Sequence, residues 1–428
     1  MRSRRLALAG LFRIVLMVWL TLACAYAADT LTVLHSLGGS DGQSPTGGLV
    51  FDSKGNLYGT AWIGGASGAN CLYFYGCGTV FELSPASGGG WTFQVIYTFS
   101  GAEDGGNPKG DLVVDSQGNL YGTTFYGGVV NTNCSLGCGT VFELSPDSSG
   151  WTLTTLHAFG WSDGANPAGM TRDSRGRLYG TTYYGGSWSV GTVFELAPSK
   201  GVWHLSTVYT FGDSNNTAGG IYPNGGLVID GLGNLYGTAN SGGYSSSGCY
   251  VNGCGTVFEI SPGGKFTVLH KFLGYLHEDG ANSEGTLVLD AAGDVFGTTA
   301  FGGTSCGSGC SYGTVFKLSH SSGTWKEKVL HRFNGTDGQQ AMGDLAMDRA
   351  GNVYGATNYG GTVCGNCGTV FTIQKNGSGF TSLYSFTAGA DGLGPVGGVT
   401  LNASGDLFGT VRNGAGLGQG EVFELLPQ

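Results

Sequence analysis

The sequence predicts an all-β protein, a seven-bladed β-propeller of four-stranded antiparallel blades, and three observations carry that expectation. A unit of about 58 residues recurs seven times: GNLYGT-like segments place Asn56, Asn119, Arg177, Asn234, Asp294, Asn352 and Asp406 at spacings of 63, 58, 57, 60, 58 and 54 residues. Each unit holds four strand signals and no helical period. The chain also starts and stops out of phase with its own repeats. Periods of this length mark stacked supersecondary units that bury their apolar faces only against one another.

Within a unit, the first strand is an LVFD-like run: Leu49–Asp52, Leu112–Asp115, Leu227–Asp230. A D-x-x-G step follows, Asp52 to Gly55 in the first repeat. An Asp that bonds the turn and a Gly that supplies positive φ make a tight hairpin into the second strand, Asn56–Thr60. The third strand is TVFEL, recurring after Gly78, Gly139, Gly191, Gly255, Gly313 and Gly368 and as EVFEL after Gly420, and ended by Ser84-Pro85 and Ser145-Pro146. The fourth alternates, with Trp91, Phe93, Val95, Tyr97 and Phe99 on one face and Thr92, Gln94 and Thr98 on the other. Four strands in each of seven units is propeller arithmetic. Leu31–Leu37 is a lone fourth-type strand, whereas Val399–Asn402, Asp406–Thr410 and Glu421–Leu425 are first, second and third strands lacking a fourth. Pairing 31–37 with 421–425 closes the ring by a 1+3 clasp. A linear β-solenoid, the rival architecture, gains nothing from the offset.

Residues 1–27 read as an export signal. Arg2, Arg4 and Arg5 precede an apolar stretch from Leu6 to Ala25, and Ala25-Tyr26-Ala27 is a small-x-small cleavage site. Residues 28–428 are then one propeller domain. No second apolar run of 18 residues follows, so no membrane span is expected. Losing Arg2, Arg4, Arg5 and Arg13 moves the net charge from −10 to −14. That balance argues against nucleic acid or an anionic membrane as partner. A secreted, periplasmic or cell-surface monomer is expected.

The GNLYGT…GG…GTVFEL unit resembles the Gloeo/Verruco (GloVer) tandem repeat of exported bacterial proteins over essentially the whole chain after residue 27. The resemblance implies a surface or secreted location and brings no catalytic residues with it.

Apart from Cys24, ten cysteines lie in pairs between strands two and three: Cys71/Cys77, Cys134/Cys138, Cys249/Cys254, Cys306/Cys310 and Cys364/Cys367. Repeats three and seven lack both members, as a bond within one loop requires. Zinc would want four ligands where each loop offers two and no neighbouring His. Five local disulfides are therefore expected. The Cys364-Gly-Asn-Cys367 spacing has no βαβ context for a redox enzyme.

The repeats act as an internal control on chemistry. His35, His157, His270 and His331 share a strand-four position with Tyr97, Tyr209 and Tyr384, so they read as packing residues with a polar tip. Glu82, Glu143, Glu195, Glu259 and Glu424 recur in strand three, where Lys317 and Thr372 replace them, and also read as structural. The DG step (Asp41, Asp104, Asp163, Asp279, Asp337, Asp391) suits a side-chain-capped turn. Its alternative is an axial carboxylate ring holding Ca²⁺. No other cofactor or metal and no catalytic residue is assigned. His277-Glu278-Asp279 groups three ligand-type residues in an enlarged loop, read as solvated. No nucleophile elbow, P-loop, zinc-protease motif or dinucleotide fingerprint is present.

In an up-down-up-down blade, the two-three and four-one loops emerge on the same face. Trp62, Tyr126, Tyr184, Phe301 and Tyr359 stand there just before the glycines of the two-three loop, with Asn240, Asn358, Arg412 and Asn413 in the gaps. Rings beside amides suit a glycan or peptide ligand; the same rings also serve as wedges between blades. Recognition of an extracellular glycan or peptide on this face is the expected function. The alternative is a propeller enzyme of glycoside hydrolase or lyase type at the mouth of the central channel. A non-repeating His, Asp or Glu cluster at that mouth favours the enzyme, and near-equivalent aromatic pockets on several blades favour binding.

Overall fold

The computed structural model describes residues 30–427 except 67–70, 72–74, 213–216, 245–247, 250–251, 306–310 and 415–418. Seven four-stranded antiparallel sheets follow one another around an axis. Blade one comprises Val50–Phe51, Leu57–Ala61, Thr79–Pro85 and Trp91–Thr98. Blade two spans 106–158, blade three 165–210, blade four 228–271, blade five 288–332 and blade six 346–385. Blade seven joins Val399–Leu401, Leu407–Val411 and Glu421–Leu426 to the N-terminal strand Thr30–Ser36. In that sheet Thr30 faces Leu426 and Ser36 faces Glu421.

The two repeat anchors turn out to be one device. Gly59 of strand two lies opposite Phe81 of strand three, and a Cβ on Gly59 would sit 2.5 Å from the Phe81 ring. The same pairing recurs as Gly122/Phe142, Gly180/Phe194, Gly237/Phe258, Gly297/Phe316, Gly355/Phe371 and Gly409/Phe423. The missing side chain in one strand is the socket for the ring of the next.

The D-x-x-G hairpin is likewise accounted for atom by atom. One Asp52 oxygen accepts from the backbone N–H groups of Lys54 and Asn56, and the other accepts from the Asn56 amide. The Tyr58 hydroxyl lies 3.3 Å from both Asp52 and Glu82, so the recurring strand-three Glu is part of the blade, as its repetition implies. Blade five reverses the charges: Lys317 replaces the Glu, and its ammonium pairs with Asp294, which replaces the Asn. One boundary differs from expectation. Strand three does not stop before Pro85, which pairs with Trp91, because strand two already ends opposite Leu83; beyond it a missing N–H costs no ladder bond.

The apolar core lies between blades rather than within them. Leu37, Phe408 and Val422 of the closing blade pack against Leu49, Leu57, Phe81 and Leu83 of blade one. Tyr58, Val80 and Phe99 of blade one meet Leu112, Leu120 and Phe142 of blade two. The DG carboxylates each serve their own turn. Asp163 accepts from Gly160 N–H and lies 2.8 Å from His157; Asp391 accepts from Thr387 N–H and the Tyr384 hydroxyl.

The cysteines follow the loop-local pattern in four pairs: Cys71–Cys77, Cys134–Cys138, Cys249–Cys254 and Cys364–Cys367 are bonded. Cys306 and Cys310 lie outside the described residues. Non-reducing peptide mapping of the purified protein should return five links, each within one two-three loop. A link between blades contradicts the assignment.

At the axis, the first strands meet backbone to backbone. A Cβ on Gly47 would lie 2.5 Å from Gly110 O, on Gly110 2.8 Å from Gly169 Cα, and on Gly169 2.8 Å from Gly226 Cα. The ring continues through Gly225, Gly285, Gly343 and Gly397, the last meeting Gly47 O at 2.3 Å. Gly285→Ala places a methyl 2.4 Å from Gly343 O, against rigid backbone. It should lower unfolding stability by about 1–3 kcal/mol in denaturant titration. Gly231→Ala, which meets open space, should change little.

Candidate functional site at the axial mouth

On either side of each axial glycine the repeat stops repeating. The residue before it is Thr46, Lys109, Ala168, Asn224, Glu284, Met342 or Val396 in blades one to seven. All of these except Ala168, with Asp111, Asp344 and Arg412, line a cavity of about 230 Å³. The Lys109 ammonium donates to Asn224 Oδ1 at 2.6 Å, and the Asn224 amide donates to Glu284 at 3.2 Å. The other Glu284 oxygen accepts from Asn240 at 2.8 Å. Lys109 and Glu284 keep some surface open to the channel yet are ringed by protein. Burial pushes the Lys109 ammonium below its usual range against the opposing pull of Glu284. It pushes the Glu284 carboxyl up against Lys109, Asn224 and Asn240. An amide bridge thus holds two opposite charges apart at the mouth.

Beside this network stands an arc of rings. Lys109 Nζ is 5.0 Å from the Phe125 ring centre and 6.0 Å from that of Tyr183. Trp62 meets Phe125 edge-on at 5.5 Å, and Tyr183 stacks on Tyr222 at 5.2 Å. Burial, with Tyr184 and Glu284 nearby, pushes the Tyr183 hydroxyl up to about 12. The second strands of blades two and three run on to Tyr126 and Tyr184, which carries the arc up at the mouth. Across the mouth, the places of Trp62, Phe125 and Tyr183 are taken by Asn240, Ala300, Asn358 and Arg412. One arc of the mouth is aromatic and the other, Ala300 apart, is polar.

The five rings singled out from sequence divide accordingly. Trp62 stands in the first place before the loop glycines and joins the arc. Tyr126, Tyr184, Phe301 and Tyr359 occupy the second place, where the backbone pairs with Gly106, Ala165, Ala281 and Gln339. Tyr126 reaches Trp62 at 6.2 Å and Tyr184 reaches Tyr222 at 5.6 Å, so both flank the arc. Phe301 packs against the core between blades four and five, and Tyr359 lies on blade six. The rings that approach Lys109 are Phe125 and Tyr183, one residue earlier. Side chains alternate along an extended chain, so a shift of one residue turns a ring to the other side.

Deeper in the channel, Asp111 of blade two meets Asp344 of blade six, and both also line a second cavity below. Asp111 accepts from Gly48 N–H and Asp344 from Thr286 N–H, each on the preceding blade. Burial and the bonded Asp344 carboxyl hold Asp111 well above the usual carboxylate range. Sequence reasoning passed over these residues although a signal existed: Lys109, Asp111, Glu284 and Asp344 break the repeat at its best-kept point. The His277-Glu278-Asp279 triplet does not converge. Asp279 alone is buried, against His270, while Glu278 lies 3.7 Å from Arg332.

The Gloeobacter/Verrucomicrobia repeat matches residues 72–251 and 247–428, most of the chain. The chain belongs to that repeat family. No curated protein sequence matches it. Among solved structures, an inactive virginiamycin B lyase from Staphylococcus aureus with quinupristin is similar at TM-score 0.55 and 11% identity, over 93% of this chain and 99% of that one. A gluconolactonase from Xanthomonas campestris is similar at TM-score 0.41 and 13% identity, over 72% of this chain and 82% of that one. At such identities the likeness to the lyase is one of fold. Among the described residues of this family member, no helix is long and apolar enough to cross a membrane.

Proposed function

We propose that this chain is an exported recognition protein that takes a neutral, hydroxyl-bearing ring, a glycan, at the axial mouth. One observation carries the reading: the rings of Phe125 and Tyr183, with Trp62 edge-on to Phe125, stand beside Lys109, whose ammonium begins a network with Asn224 and Glu284 on the lining of a small cavity. Ring faces accept the apolar face of a sugar, and the network offers donors and acceptors in alternation to its hydroxyls. The charges of Lys109 and Glu284 offset one another, which favours a neutral ligand over an ion. Export rests on residues 1–27 and the loop-local cysteine pairs. Loops pinned in this way lose less entropy on binding.

The test is a glycan array on the chain from residue 28, followed by calorimetry on the retained glycan. Tyr183→Ala and Phe125→Ala should each weaken binding about tenfold, roughly the 1.4 kcal/mol of one stacked ring, with the melting temperature nearly unchanged. Leu232→Ala, fully on the surface of a D-x-x-G hairpin, should bind as the parent does. Binding that survives loss of both rings overturns the placement.

A second reading, an enzyme at the same mouth, is favoured by the opposite displacements of Lys109 and Glu284 and by the raised Asp111 carboxyl beside Asp344. This is the non-repeating cluster that an enzyme calls for. Two carboxyls bonded to each other are closer than the ~5 Å a retaining glycosidase needs, so the aspartate pair does not suit that reaction. Lys109 as base with Glu284 as acid is the pairing to examine. A bound glycan recovered intact after prolonged incubation supports recognition. Conversion that stops in Lys109→Met supports the enzyme.

A further inference from the structure

In several blades a strand-four His or Tyr pins the DG aspartate of the next turn: His35–Asp41, Tyr97–Asp104, His157–Asp163, His331–Asp337 and Tyr384–Asp391. These are pairs. Between blades four and five the pair gains a third member, Glu327, and among the described residues this is the one cluster of three His, Cys, Asp or Glu ligand atoms within 4.8 Å of one another.

Glu327 stands where the fold otherwise puts an apolar side chain. It lies across the ladder from Leu318, whereas Leu83, Leu144, Leu196 and Ile260 face Phe93, Leu153, Leu205 and Phe266. Phe93 stacks on His35 of the preceding blade at 3.6 Å, and Phe266 on Tyr209 at 3.9 Å. Glu327 takes that place against His270, with Oε2 at 3.9 Å from Nε2. A carboxylate brought into an interblade core is costly unless something pairs with it. Its other oxygen, Oε1, is buried and has no hydrogen-bond partner.

We infer that His270, Asp279 and Glu327 form a zinc site that ties blade four to blade five. His270 Nε2 is 3.2 Å from Asp279 Oδ2, close to the spacing of about 3.3 Å between ligands that sit 2.0–2.1 Å from a tetrahedral zinc. A small closure of Glu327 completes the third edge, and water takes the fourth position. One imidazole and two carboxylates suit zinc better than calcium, which prefers six or more oxygens. The second Asp279 oxygen accepts from Gly280 N–H, and Leu273 N–H donates to the first, which fixes the carboxylate. Arg332, whose charge also reaches Glu327, donates to the Glu278 carbonyl at 2.8 Å and lies 3.7 Å from the Glu278 carboxylate. The cysteine loops each act within one blade; this site would act between two.

The experiment uses the chain from residue 28, stripped with chelator and then titrated with ZnCl₂. Calorimetry and elemental analysis should find one zinc per chain. The melting temperature should rise by about 3 °C at a hundredfold excess of zinc over Kd. Glu327→Gln and Glu327→Phe should stay folded, lose at least a hundredfold in affinity and lose the thermal shift. His157→Ala, which breaks a two-member pair, should bind zinc as the parent does. No stoichiometric zinc in the parent overturns the site. So does unchanged zinc binding in Glu327→Gln, which would place the metal elsewhere. A Glu327→Gln chain that melts higher than the parent, with zinc inert in both, would mean that a proton alone satisfies the cluster.

Discussion

The contact on which the rest of the molecule depends is backbone on backbone, where seven glycines meet around the axis. With no side chain between them, the first strands approach as closely as peptide groups allow, and the ring takes its diameter from that approach. Adjacent blades then diverge with radius, so the wedge between them widens outward. Side-chain size follows the widening. Glycine stands at the waist, Leu49 and Leu57 come next, then Phe81 in its glycine socket. At the rim, Trp151 of blade two meets Tyr58 of blade one at 5.9 Å, and Trp203 meets Tyr121 at 6.1 Å. A close-packed wedge needs such a gradient; the repeat supplies its glycine and Phe steps in all seven blades and a rim Trp in blades one, two, three and five.

Much of this was legible in the chain because each piece is local. The D-x-x-G hairpin, the alternation of strand four and the loop-bound cysteines depend on residues a few positions apart. The pairing of Thr30–Ser36 with Glu421–Leu426 was legible for another reason: a phase offset makes sense only in a closed ring. The site was harder to read because it is made by parity and by symmetry. Tyr126 and Tyr183 are equally aromatic in sequence, yet only one of the two places before the glycines turns toward Lys109. Asp111 and Asp344 lie 233 positions apart in number and meet only because blades two and six face each other across the channel.

The same symmetry explains where function can reside. A position that builds the blade must be filled alike in every repeat, so it carries no information about a ligand. Two positions per blade escape this rule at the mouth: the one before the axial glycine and the first before the loop glycines. Most of their side chains keep some surface at the mouth instead of filling a packed wedge, and can differ without disturbing the fold. Lys109, Asn224, Glu284, Phe125 and Tyr183 all come from these two positions. A rule stated in advance would have found them: search where an otherwise faithful repeat varies, then keep the variable positions next to its most constrained ones.

Glu327 breaks the repeat under the opposite condition. It replaces a packing residue inside a wedge, where variation is not free. An exposed substitution needs no cause beyond tolerance, but a carboxylate set against Leu318 and His270 must be matched by a counter-charge or take up a proton, or it weakens the interface between blades four and five. The axial mouth and this interblade cluster share no hydrogen-bonded residue among those described. Their contributions should therefore be nearly additive. Ligand affinity at the mouth should not respond to zinc, and the zinc-dependent stability should persist in a chain whose mouth has lost Phe125 and Tyr183. Two independent departures from one repeat then have two separate physical causes, one permitted by open space and the other compelled by buried charge.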